Sequence, residues 1–158
     1  MTLYKKVNGQ DVELTADEIS EYNANVLQGV ISEKLTALDI YHFSSPELRL
    51  LTINGTITLS LTKAGRDLIL EQLNKLDNKV LMGLSPQDAK FIYIHEGIIN
   101  EIDLEDLRSL SVAMMDIVDT NWVVYDNHIV NIKNLTTPND VEEYDFTLNY
   151  LKNQNINI

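Results

Sequence analysis

The stretch LEDLRSLSVAMMDIVDTNWVVYDNHIVNIKNL, residues 104–135, decides how the rest of the chain is read. No Gly or Pro occurs from Ile98 to Thr137. Leu104, Leu107, Leu110, Met114, Val118, Trp122, Tyr125, Ile129 and Ile132 recur there in steps of three and four. That is the period of one helical face. A hairpin turning at Asp126-Asn127 is the competing reading, because Trp122-Val123-Val124-Tyr125 and His128-Ile129-Val130 favour strands. It would pair Trp122 with Asn131 and Tyr125 with His128, leaving neither face apolar. The helix is the better account, and at 1.5 Å per residue it spans about 48 Å. A helix that long, on a chain this short, usually has a partner.

Outward from it, Leu135-Thr136-Thr137-Pro138 is a stop and a restart. Thr137 is placed to cap a short helix with Pro138 at its first position. The segment before the long helix reads as strand, turn, strand: Lys90 to His95, a tip at His95-Glu96-Gly97, and Ile98 to Ile102. Earlier still, Asn54-Gly55 is the preferred pair for a type I′ hairpin turn. A two-residue turn there pairs Thr52 with Ile57, Leu50 with Leu59 and Leu48 with Leu61. Thr62 is a cap candidate for a helix from about Lys63 to Leu76, ended by Asp77-Asn78. Val80 to Leu84 is ambiguous.

The N-terminal part repeats these signals. Asn8-Gly9 turns a short strand pair, and Thr15-Ala16-Asp17-Glu18 has capping-box form. The helix that follows, to about Leu38, carries Ile19, Tyr22, Val26, Leu27, Val30, Ile31, Leu35 and Leu38 on its apolar stripe. Gly29 interrupts it. Tyr41 to Pro46 reads as a linker, and the Asn-rich run Asn149 to Asn157 as a tail that frays. The fold class expected is α+β, with small antiparallel hairpins packed on helices and a long amphipathic C-terminal helix. The organisation expected is an N-terminal strand-turn-helix over 1–40 for attachment or oligomerisation, a main domain over 41–150, and a frayed tail over 151–158.

Composition narrows the function. The chain has 158 residues, 44% of them hydrophobic, no cysteine, and a formal net charge of −12. The absence of cysteine rules out disulfides and thiolate metal sites. No apolar run approaches the roughly 18 residues a membrane span needs, and no basic n-region with an apolar h-region follows Met1, so a secretory signal is not expected. The basic residues never cluster beyond Lys5-Lys6, so no positive stripe is available for nucleic acid.

Chemistry is sparse. His42, His95 and His128 lie at no metal-ligand spacing. Asp39, His42 and Ser44-Ser45 match no nucleophile arrangement. Asp103, Glu105 and Asp106 favour the positive end of the long helix. Trp122 and Tyr125 offer a ligand-stacking surface, or else core or interface. Neither a catalytic set, a cofactor site nor a metal site is expected. The interface residues expected are Ile19, Tyr22, Val26 and Val30 on the first helix, and Leu107, Met114, Val118, Trp122, Tyr125 and Ile129 on the long one.

One resemblance adds to this. Tyr41 and Ser44-Ser45 precede a strand-turn-strand that leads into Leu61-Thr62-Lys63-Ala64-Gly65-Arg66. A strand pair and Asp103-Leu104 follow, then Trp122, His128, Ile132 and Leu135-Thr136-Thr137. This order resembles a phage and prophage domain family of unknown function, found near tail-fibre genes, over about Tyr41 to Tyr150; its acidic, Asn-rich members suit phages of Bacteroides-type hosts. The resemblance implies a non-enzymatic structural protein of a fibre, tail or capsid-attached appendage. Such a protein is expected as a dimer or trimer that contacts other phage structural proteins, without nucleic acid or membrane. Its place is the virion, assembled in the host bacterial cytoplasm. The alternative is a tail-fibre assembly chaperone absent from the mature particle.

Overall fold

The computed structural model describes residues 2–95 and 98–158. The fold is α+β, as expected. Its elements run β1 (Tyr4–Val7), β2 (Gln10–Glu13), α1 (Ala16–Ser44), α2 (Pro46–Arg49), β3 (Leu50–Ile53), β4 (Ile57–Ser60), α3 (Lys63–Leu81), β5 (Lys90–His95), β6 (Ile98–Asp103), α4 (Leu104–Lys133), α5 (Pro138–Glu143) and β7 (Gln154–Ile156). The tip at Glu96-Gly97 lies outside the described residues.

The backbone contacts divide the chain into two units, each made of two stretches. Unit 1 joins residues 1–41 to 126–148, and unit 2 joins 42–125 to 149–158. The division expected from sequence is 1–40, 41–150 and 151–158. Both long helices contribute residues to both units.

In unit 1, β1 and β2 pair antiparallel, with Val7 opposite Gln10. Asn8 and Gly9 take φ of 53° and 82°, the left-handed values that an Asn-Gly turn supplies. The capping box forms: the Thr15 N–H donates to Glu18 Oε2 at 3.0 Å, and the Glu18 N–H donates to Thr15 Oγ1 at 3.3 Å. Ile31, Leu38, Ile132 and Val141 are the buried aliphatics of this unit. Thr137 caps α5, accepting the Asp140 N–H at 3.2 Å, with Pro138 at the first position.

The first helix is longer than its periodicity suggested. α1 continues through Tyr41, His42 and Phe43 to Ser44, where a linker was expected. The breaker acts one residue before the proline: Ser45 is extended, at ψ 123°, and Pro46 starts α2. Tertiary contacts of the aromatic run hold the last turn in helical form.

In unit 2, β3 lies at the centre of a three-stranded sheet, with β4 on one side and β7 on the other. Asn54 and Gly55 adopt left-handed φ of 50° and 69°. The pairing differs from the expected one by a residue: Ile53 faces Ile57, Leu51 faces Leu59, and Thr56 is the extra residue of the turn. The reason is burial. A one-residue slip exchanges the two faces of a strand. The observed register puts Leu51, Ile53, Ile57 and Leu59 together in the core, whereas the expected one gave Thr52 and Leu50 that place. Leu50 is 41% exposed instead.

The tail expected to fray is a strand. β7 runs parallel to β3, with Thr52 opposite Asn155. Asn54 closes the arrangement: its Nδ2 donates to the Ile158 carbonyl at 3.1 Å, and its Oδ1 accepts the Ile158 N–H at 3.0 Å. Of the tail's own Asn residues, Asn155 takes part, its Oδ1 accepting the Gly55 N–H at 3.0 Å.

α3 extends to Leu81, beyond Asp77-Asn78, and Thr62 caps it, accepting the Gly65 N–H at 3.4 Å. β5 and β6 pair antiparallel from Lys90–Asp103 to His95–Ile98. The core gathers Leu51, Ile53, Ile57, Leu59 and Leu61 with Ile69 and Leu76 of α3. Leu104, Leu107, Leu110, Met114 and Ile117 of α4 complete it.

Candidate functional site

The 30-residue α4 is one helix, and its faces can now be assigned. Asp103 precedes it and accepts the Asp106 N–H at 3.0 Å, so the acidic cluster there does serve the helix start. Arg108 ties the first turns to α3, with its Nη2 donating to Asp77 Oδ1 at 2.5 Å and Glu105 3.4 Å from Nη1. The Asp77 carboxylate, ahead of the burial that opposes it, raises the Arg108 pKa above its ordinary value.

The expected interface residues separate into distinct environments. Leu107 and Met114 are 0% and 1% exposed within the unit 2 core, which removes them from any surface. They satisfy the helical period because they face inward, and periodicity alone cannot tell a core from an interface. Val118 packs against the same core. Tyr125 and Ile129 are half-buried, as are Ile19 and Val30 on α1. Tyr22, Val26 and Trp122 are exposed. A different set on α4 carries the apolar surface: Val112 at 61%, Met115 at 48% and Val123 at 61% exposure, alongside Trp122 at 42%. Met115 borders the same shallow recess as Leu70 of α3, which is also exposed.

Trp122 belongs to an aromatic cluster of unit 2. The His42 ring lies 4.8 Å from Trp122 and 4.4 Å from Tyr125, centroid to centroid. Phe43 lies 5.6 Å from Trp122 at 67°, and Trp122 lies 5.5 Å from Tyr125 at 90°. These edge-to-face angles are the ones the ring quadrupoles favour. The cluster walls a cavity of about 190 Å3 lined by His42, Phe43, Leu48, Leu61, Val118, Asn121 and Trp122, with Arg49, Thr62, Lys63 and Arg66 beside them. Asn121 is buried and committed to the backbone. Its Nδ2 donates to the Leu151 carbonyl at 3.1 Å and its Oδ1 accepts the Leu151 N–H at 2.8 Å.

His128, in unit 1, is 4% exposed and fully engaged. Its Nε2 lies 3.0 Å from the Leu148 carbonyl, an acceptor only, so Nε2 carries the proton. In the neutral ring Nδ1 then accepts from the Tyr144 hydroxyl at 2.7 Å, and that hydroxyl accepts from Asn131 Nδ2 at 3.2 Å. This chain of donors holds the segment after α5 in place and has no nucleophile in it. Among the described residues no group of three or more His, Asp or Glu side chains is arranged to hold a metal ion, and no helix is long and apolar enough to cross a membrane. The His42 ring packs against those of Phe43, Trp122 and Tyr125.

Sequence reading missed Asn121, Arg49 and Arg66 as a group. Arg66 ends the Leu61–Arg66 motif and Asn121 stands beside Trp122, but only the tertiary fold brings them to one cavity. No family model, curated protein or solved structure matches the chain. The phage resemblance therefore rests on its motifs alone.

Proposed function

We propose that the chain is a non-enzymatic structural or adaptor protein of a bacteriophage fibre, tail or capsid-attached appendage, acting through self-association and contacts with other particle proteins. The observation that carries the association is the set of apolar side chains Val112, Met115, Trp122 and Val123 on one side of α4, each more than 40% exposed, with Asp116 and Asp119 between them. Single exposed apolar side chains are ordinary, whereas four on one side of a helix favour a contact surface. The phage setting comes from the motif resemblance.

Two measurements test the reading. Light scattering of the purified protein is expected to give a dimer or trimer. Met115→Asp combined with Val123→Asp is expected to shift it to monomer at least tenfold more readily on dilution, with far-UV circular dichroism unchanged. Mass spectrometry of purified virions is expected to find the chain. A wild-type monomer at all concentrations, absent from particles, would overturn the proposal. A self-associating chain absent from particles would assign the assembly-chaperone role instead.

A further inference from the structure

The cavity beside Trp122 has a composition that self-association does not use. The chain holds 24 acidic and 12 basic residues, yet Arg49, Lys63 and Arg66 line this one cavity and no Asp or Glu does. The sequence has three arginines. Arg108 is spent on Asp77 and Glu105. Arg49 and Arg66 form no ion pair among the described residues. Lys63 is paired with Asp67. Arg66 is held in place by a bond from Nη1 to the Leu61 carbonyl at 2.5 Å, which leaves its other N–H groups for a ligand.

The remaining walls are apolar and aromatic. Phe43 and Trp122 are partly exposed, so a planar group can reach their rings, while Leu48 and Leu61 close the floor. Size sets the class of occupant. A dry cavity of about 150 Å3 accepts benzene, and drug-sized ligands occupy about 300–1,000 Å3. At about 190 Å3 this cavity suits one six-membered ring with a charged head. Guanidinium groups match carboxylate and phosphate oxygens in a planar fork, and they stack on aromatic faces.

We infer that this cavity binds a small anion with a planar apolar body, a ring carrying a carboxylate or phosphate. The head lies between Arg49 and Arg66 and the ring against Phe43 and Trp122. The inference rests on the cavity lining and not on the proposed association; because Trp122 belongs to both, light scattering at the titration concentration must show that the ligand leaves the oligomeric state unchanged.

Trp122 is the chain's one tryptophan, so its emission reports on the cavity directly. The full chain would be titrated with benzoate, phenyl phosphate, benzamide and inorganic phosphate at matched ionic strength. Benzoate or phenyl phosphate is expected to change Trp122 emission saturably. Benzamide, which keeps the ring and lacks the charge, is expected to bind at least tenfold more weakly, as is inorganic phosphate, which lacks the ring. Arg49→Met is expected to weaken the anion at least tenfold with far-UV circular dichroism unchanged. Should that variant fail to fold, chemical-shift changes at the Trp122 indole and Arg49 guanidinium of the wild type decide the matter. Three results overturn the inference: no saturable response to either aryl anion, equal affinity for benzamide, or shifts that spare both side chains.

Discussion

A methyl group placed on Gly65 would sit 2.0 Å from the Ser60 carbonyl oxygen, which is backbone and cannot swing aside. Gly65 lies in the first turn of α3, where the end of β4 folds back over the helix start. Gly65→Ala is therefore expected to destabilise unit 2 by about 1–3 kcal/mol, the usual cost of overpacking. Gly29 is the control, since a methyl there meets nothing within 4 Å. Gly29→Ala is expected to stabilise α1 by up to about 1 kcal/mol through backbone entropy and helix propensity. Urea midpoints of the two variants should move in opposite directions. The sequence marks both positions only as glycines; Gly29 could be weighed from its helical surroundings, but the close approach at Gly65 is a tertiary fact. Asn54-Gly55 shows the same limit. Its turn conformation follows from residue type, while its register was settled by which aliphatics the core could take.

At the level of single elements, α1 depends on a charge at its first turn. The Glu18 carboxyl is held below its ordinary value, first by the Lys5 ammonium that donates to it and then by the Thr15 N–H. A depressed folded-state value means the carboxylate supports the folded form above its unfolded value of about 4.5, and that this support is lost as pH falls through the folded value. The protection of amides at the start of α1, taken relative to intrinsic exchange at each pH, is accordingly expected to fall as pH drops below about 4.5, and Glu18→Gln should remove that fall. The capping box was legible because it is local: four consecutive residues contain both bonds. α4 was legible as a helix for the same reason, since its period sits within its own sequence. Which of its residues face inward was only half legible. Leu104 to Met114 follow the stripe inward, but beyond them the buried positions are Ile117, Asn121, His128 and Ile132, two of them polar. A polar residue enters a core when a partner meets its donors and acceptors, and those partners, Leu151 and Tyr144 with Leu148, lie 16 to 30 residues away.

For the whole molecule, the final ten residues belong to the same unit as β3 and residues 104–125 of α4. Asn121 is the buried hinge of that attachment on the helix side. Asn121→Ala would leave the Leu151 N–H and carbonyl without their side-chain partners. It is expected to cost roughly 1–3 kcal/mol and to speed hydrogen exchange at the Leu151 amide selectively. Composition had suggested that this asparagine-rich end is loose, because no apolar pattern marks it. Its order comes from the β3–β7 ladder, from Leu151, Ile156 and Ile158 packed on the core, and from amide side chains bonding to backbone across about a hundred residues, signals no local window contains.

The parallel pairing of β3 with β7 also sets an order of events during synthesis. Leu50–Ile53 leave the ribosome about a hundred residues before Gln154–Ile156. Until then the open edge of β3 can pair with any extended strand nearby, including that of a second nascent copy. Polysomes, where such copies are crowded, are thus the setting in which this chain is most exposed to mispairing.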